Sequence, residues 1–142
     1  ANMNSSNTNA GGWNSSAMRS RMSTYLGQLP AALRNVIKTV NKRTSAGNQS
    51  SSIQTTQDKL FLLSEIEIFG ATTYSFAGEG TQYEYYAAGN TTIKKVNGSA
   101  SYWWERSPGS DSTTAFRSVN GSGGANGNAA STSYGVSFGF CV

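Results

Sequence analysis

At 142 residues the chain has the length of one ordinary domain, enough to bury one core but not two. Only 13% of residues are charged, so Ser, Thr, Asn and Gly must cover most of the surface, while an aromatic share of 11% supplies the apolar area needed to fold. The formal charge of +4 is scattered over Arg19, Arg21, Arg34, Lys38, Lys42, Arg43, Lys94, Lys95 and others, without the basic stripe that tracks a phosphate backbone, which argues against nucleic acid as a partner.

In chain order, Ala1 to Gly12 is a low-complexity run that reads as a disordered end, as though cut from a longer polypeptide. Met18 and Met22 stand at helical spacing after Trp13-Asn14-Ser15-Ser16, which predicts a short helix capped by Asn14 or Ser15 with Arg19 and Arg21 facing water. Leu29-Pro30 opens a second short helix carrying Leu33, Val36 and Ile37. Alternation from Ile37 to Lys42 predicts a half-buried strand, which the polar segment Ser45 to Ser52 ends as a mobile loop. Leu60 to Leu63 is a continuous apolar run, the pattern of a strand buried on both faces. Ser64 and Glu67 have capping-box spacing, so Glu65 to Phe69 is expected to be helical and to end at Gly70. Gln82 to Ala88 reads as another short helix, capped by Thr81 and stopped by Gly89-Asn90. From Ser101 onward short strands alternate with Gly, Ser and Asn, over Ser101 to Arg106, Thr114 to Asn120 and Tyr134 to Cys141. Helices first and strands after them argue for one α+β domain over 1–142, with short helices packed on a small, mostly antiparallel sheet and long loops.

The absent residue types narrow the chemistry. Without histidine there is no Ser-His-Asp or Cys-His nucleophile pair and no imidazole metal site, and the lone Cys141 forms no internal disulfide. Cys141 lies between Phe140 and Val142 with no cationic neighbour, as a buried inert thiol would. Glu65 and Glu67 diverge on a helix, and Glu79 and Glu84 flank a turn, so no catalytic carboxylate pair is supported. Gly78-Glu79-Gly80 and Gly121-Ser122-Gly123-Gly124 lack the context of a phosphate cradle and read as turns; Lys42-Arg43 and Lys94-Lys95 read as solvated. Asn97-Gly98-Ser99 matches a glycosylation sequon only as the abundance of these residues would produce by chance. No stretch approaches the ~20 apolar residues that cross a bilayer, and no membrane insertion, cofactor or metal is expected.

The informative region begins at Trp103-Trp104-Glu105-Arg106-Ser107-Pro108. Two indoles on opposite faces of one strand require at least one core pillar, with Glu105 and Arg106 able to pair beside it. From Ser107 to Tyr134 there is then no Lys, Glu, Gln, Met or Trp, although all five types recur earlier. Ala115-Phe116 and Val119 anchor this stretch, and the alternating residues from Tyr134 through Val136, Phe138, Phe140 and Val142 close it.

Gly12-Trp13 with Met18-Arg19, Asp58-Lys59-Leu60-Phe61-Leu62-Leu63-Ser64, Gly78-Glu79-Gly80, Trp103 to Pro108 and Gly135 to Cys141 together resemble the C-type-lectin-fold variable proteins of diversity-generating retroelements, as found in gut phages and Firmicutes. In that family adenines of selected codons are randomised, and those codons cannot reach Lys, Glu, Gln, Met or Trp. The resemblance implies a C-type-lectin-like domain in which 107–134 is a variable ligand-binding segment. Its variable positions would be Gly109, Asp111, Ser112, Thr113, Thr114, Arg117, Ser118, Asn120, Ser122, Asn126, Asn128, Ser131, Thr132, Ser133 and Tyr134. Arg117 and Tyr134 would be the energetic anchors, and Phe116, Val119, Val136, Phe138 and Phe140 the scaffold.

It further implies a non-catalytic module on a virion surface, at a phage tail or fibre tip, or on a bacterial surface. Its partners would be a protein or glycan receptor on a bacterial cell, other virion or surface-structure subunits and, on a fibre, two further copies in a homotrimer. The family's calcium-dependent sugar motif is missing, so no calcium-sugar site is expected. The related formylglycine-generating enzymes need a metal or cysteine-based oxidase centre, which one C-terminal Cys does not supply. A decoration domain without a ligand and a bacterial adhesin are the alternatives.

Overall fold

The computed structural model describes residues 1–142. Helix α1 (Ala17–Gln28) is capped by Ser16, whose hydroxyl accepts the Arg19 N–H, so the helix starts later than a cap at Asn14 or Ser15 would place it. Met18 and Met22 are buried as their spacing requires. Arg19 and Arg21 do not simply face water: Arg19 pairs with Asp58 at 2.8 Å, and the Arg21 guanidinium donates to both the carbonyl and the side-chain oxygen of Asn2. Helix α2 (Ala31–Arg34) is a single turn after Pro30. Helix α3 (Glu65–Phe69) has the expected capping box between Ser64 and Glu67 and ends at Gly70 with φ 70°. Helix α4 (Glu84–Ala87) starts after Tyr83 without a side-chain cap, shorter than expected and not capped by Thr81.

Strand β1 (Val40–Ser45) pairs antiparallel with β2 (Ile53–Asp58), whose polar sequence Ile-Gln-Thr-Thr-Gln-Asp concealed it from a search for apolar periodicity. Strand β3 (Phe61–Leu62) pairs with the C-terminal β9 (Phe138–Gly139). A hairpin, β4 (Lys94–Val96) and β5 (Ser99–Ser101), turns at Asn97-Gly98 with φ of 50° and 83°. Those left-handed values are what a two-residue hairpin turn demands and Asn-Gly supplies. Strands β6 (Trp103–Pro108), β7 (Ala115–Val119) and β8 (Ala125–Ala129) form an antiparallel sheet in sequence order. The class is α+β with short helices, as expected, but the strands form four small antiparallel sheets instead of one.

Trp104 fills the main core with Met3, Trp13, Met18, Leu60, Leu62 and Phe116, whereas Trp103 joins Ile68 and Val119 in a second core. Both indoles are therefore pillars, one on each face of β6, and their N–H groups donate to Ala1 O and Thr92 O. Two C-terminal expectations fail, because the residues after β9 run along the surface: Phe140 is 38% exposed, and Cys141 is exposed while its backbone bridges Lys38.

The polar N-terminal run is part of the fold. Met3 is wholly buried and donates to Ala130 O, while the α-amino group of Ala1 donates to Tyr134 O. Asn9 is fully buried; its Nδ2 donates to Ser112 O and Ala115 O, both at 2.8 Å, and its Oδ1 accepts from Asn48 N–H at 2.8 Å. Turn 46–52 is thus pinned to the N-terminus. A Cβ on Gly47 would lie 1.8 Å from Asn9 O, and one on Gly12 2.0 Å from Ser45 O, which is why glycine stands at both. Replacing Asn9 by Ala strips Ser112 O and Asn48 N–H of their partners and Ala115 O of one of its two, and is expected to cost about 2–4 kcal/mol in urea unfolding. Asn9→Asp should be comparably damaging, because it faces an acceptor toward two carbonyls; an unchanged midpoint for both variants would mean the run is dispensable.

Candidate functional site

Beneath the 107–134 segment lies a buried charge system. Arg106 is 0% exposed and does not pair with Glu105, since neighbours on a strand point to opposite faces. Its guanidinium instead grips Glu67 in a fork of 2.6 and 3.0 Å and also donates to Thr44 Oγ1, Leu62 O, Arg43 O and Glu79 O. Lys42, expected in solvent, is buried: its ammonium donates to Glu67 at 2.7 Å and lies 4.2 Å from the centre of the Phe61 ring. Burial depresses the Lys42 pKa, and for Glu67 the two cations outweigh burial and hold the carboxyl below its ordinary range.

Glu65, buried at the start of α3, accepts from Arg117 Nε at 2.8 Å and from Tyr74 N–H and Ser75 Oγ. Arg117 in turn lies 4.9 Å from the Tyr74 ring centre. Glu105, wholly buried nearby, accepts no hydrogen bond from the protein through either oxygen, and Glu79 accepts only from Ser45 N–H. Burial raises the Glu79 pKa to about 7, and burial, reinforced by the Glu65 carboxylate, pushes Glu105 well above the ordinary carboxylate range.

The structure distributes the proposed variable positions unevenly. Gly109, Arg117 and Ser118 are buried, which corrects their expectation as solvent-facing contacts: Gly109 N–H closes the β6–β7 loop on Ala115 O, Arg117 is committed to Glu65, and Ser118 donates to Asn128 Oδ1. Asp111, Ser112, Thr113 and Thr114 form the β6–β7 loop at one end of the sheet. Ala130 N–H bonds Thr114 O, so Ser131, Thr132 and Ser133 adjoin that loop. Asn120 and Ser122 sit in the β7–β8 turn at the opposite end, with Asn126 and Asn128 on outer strand β8 between the two. Tyr134 lies beyond β6, its ring 5.0 Å from Trp104 and 4.9 Å from Tyr102.

Ser112 and Asn120 shape their turns through side-chain oxygens, the first accepting from Thr114 and Ala115 N–H, the second from Ser122 and Gly124 N–H. Asp111, Thr113, Ser122, Asn126, Thr132 and Ser133 are exposed or half-buried, and their side chains make no hydrogen bond to the protein. Asn9, whose carboxamide fixes the loop backbone, was invisible to sequence reasoning because it stands in a run of similar small polar residues. On different elements, a cleft of about 320 Å³ between α1 and the end of β2 is lined by Arg19, Met22, Leu26, Asp58, Lys59 and Leu60.

A carboxyl whose folded pKa is raised favours the folded state fully below its unfolded pKa and loses that contribution as pH rises through the folded value. With Glu79 moved from 4.5 to about 7, its contribution should fall between pH 5 and 8 by on the order of 3 kcal/mol, and the raised Glu105 carboxyl adds to the loss from the same lower limit upward. Urea midpoints across this range check it, and Glu105→Gln, neutral at every pH, should make the profile shallower.

No helix is long and apolar enough to cross a membrane. Among curated proteins and solved structures nothing matches the chain. One family does match, over residues 1–142, and is described as "Domain of unknown function (DUF6273)". The chain belongs to the DUF6273 family.

Proposed function

We propose that this chain is a non-catalytic ligand- or receptor-binding module of C-type-lectin-like architecture, with a replaceable surface drawn from 107–134. We place it at a phage tail or fibre tip, where a protein or glycan receptor on a bacterial cell is its partner. One observation carries the reading: the β6–β7 loop, which bears Asp111 and Thr113, is held through its backbone. Asn9 donates to the carbonyls of Ser112 and Ala115 and to Thr113 O, and Ala130 donates to Thr114 O. None of these bonds depends on the side chain at 111, 113 or 114, so those side chains can change while the loop keeps its shape.

The contact set is accordingly narrower than the resemblance suggests. Asp111, Thr113, Ser122, Asn126, Thr132, Ser133 and Tyr134 face a partner, with Thr114, Asn128 and Ser131 at the rim. Gly109, Arg117, Ser118, Ser112 and Asn120 serve the frame. With small polar side chains at most contacts, affinity per copy is low, and display of several copies, as in a homotrimer among other virion subunits, multiplies it.

Two measurements test this. A display library randomised at Asp111, Thr113, Ser122, Asn126 and Ser133 should keep each variant within about 0.5 kcal/mol per substitution of the parent, whereas Arg117→Ala should lose about 3–5 kcal/mol by stranding Glu65. The DNA encoding the chain should lie near a reverse transcriptase gene and a template repeat that differs from the 107–134 coding segment only at template adenines, in codons of accessible residues. Without such a repeat, a decoration domain that needs no variable surface is the better reading.

A further inference from the structure

We propose that the β4–β5 hairpin and the Tyr102–Tyr134 pair form one recognition strip for a protein partner whose contact surface is apolar at its centre and ringed by carboxylates. The inference rests on the binding-module reading, because Tyr134 and the Ser122 turn belong to both surfaces.

The hairpin is not built to serve the core. Every residue from 87 to 102 is exposed or half-buried. An isolated two-stranded hairpin is marginal in water, and this one is fastened at few points. Trp103 Nε1 donates to Thr92 O at 3.0 Å, Thr92 Oγ1 donates to Gly123 O at 2.6 Å, and the Lys94 ammonium lies 5.0 Å from the Trp103 ring centre. Yet Ile93 is 38%, Val96 54% and Tyr102 37% exposed, three of the nine large hydrophobic side chains left in water by the whole chain. Such a concentration on a projecting element marks a contact surface more readily than chance exposure does.

The strip is continuous with the variable surface. Ile93 lies against Gly123, where a Cβ would come within 3.1 Å of its Cγ1, and a Cβ on Gly121 would be 4.0 Å from that of Ala100. Tyr102 stacks on Tyr134 at 4.9 Å. Ile93 and Ala100 thus border the β7–β8 turn that carries Ser122, and Tyr102, next along the chain from β5, joins them to Tyr134. The hairpin supplies fixed apolar and aromatic anchors, the kind that dominate interface energies, which the small variable side chains cannot.

Charge selects the occupant. Lys95 is exposed on the face of the hairpin that carries Ala100, its cross-strand partner, while Lys94 turns to the other face over Trp103, and no Asp or Glu occurs between Glu84 and Glu105. A second copy would bring this lysine against a surface equally devoid of carboxylates, and a neutral glycan would leave it unanswered; carboxylates beside an apolar patch complement both features.

The test uses the intact isotope-labelled chain and two short synthetic peptides with the same leucine and tryptophan centre, one flanked by aspartates and the other by lysines. The aspartate peptide should shift the amide resonances of 93–102 and Tyr134, and bind more weakly as salt rises. Ile93→Ser should weaken it about tenfold or more with an unchanged melting midpoint, and Lys95→Glu should reverse the preference between peptides. Equal binding of both peptides, shifts confined to the cleft between α1 and β2, or self-association through the hairpin in sedimentation would each overturn the proposal. Selective binding in a chain whose gene has no template repeat would keep the strip and remove only the variable-surface reading.

Discussion

Everything in this molecule hangs on one guanidinium. Arg106, on β6, reaches the carboxylate of Glu67 on α3, the backbone of β1 through Arg43 O, the backbone of β3 through Leu62 O and the 78–80 turn through Glu79 O. Elements far apart in sequence thereby share one charged centre, and none can slide without leaving a buried donor or acceptor unmatched. A buried ion pair stabilises little over a well-packed apolar group of the same size, but losing one partner is severe, commonly about 3–5 kcal/mol. The value of Arg106 lies in fixing register among three of the four small sheets, those of β1, β3 and β6.

Polar residues do much of the work usually left to large apolar ones. Asn9, Thr44, Ser45, Thr56, Asp58, Ser64, Ser107 and Ser118 are buried beside the aromatic core. Asp58 illustrates the arrangement: its carboxylate accepts from Trp13 Nε1, Thr56 Oγ1 and Arg19 Nε, closing α1 onto β2. Such a core tolerates few changes, since each deletion strands a group without water to replace its partner. Glu105 is the exception, a fully buried carboxyl with no hydrogen-bond donor from the protein, and its raised pKa is the consequence.

That rigidity is what the proposed replaceable surface would require. In the 107–134 segment the side chains divide by role between paired strands: Arg117 on β7 is locked to Glu65, while Asn126 on β8 makes no side-chain hydrogen bond and is half-exposed. Where the backbone is held by buried groups such as Asn9, the outward side chains carry little of the fold's stability. In the proposed binding surface the hairpin adds a complementary element, with apolar residues beside the polar positions proposed to vary.

Local signals were readable from the sequence alone. Ser64 and Glu67 announced the start of α3 because a capping box is a contact between near neighbours, Met18 and Met22 marked the buried side of α1, and Leu60 to Leu63 marked the core. The α+β class followed from the order of these signals. Strands β2 and β8 were not legible, since Ile-Gln-Thr-Thr-Gln-Asp and Ala-Asn-Gly-Asn-Ala carry no apolar alternation and are strands only because a partner pairs with them. Nor could sequence decide that Arg117 and Lys42 are buried, that Asn9 is a hub or that Cys141 is exposed. Those outcomes depend on groups dozens of residues away: a buried charge or amide is tolerated only where folding delivers its partner, and spacing along the chain contains no record of that meeting.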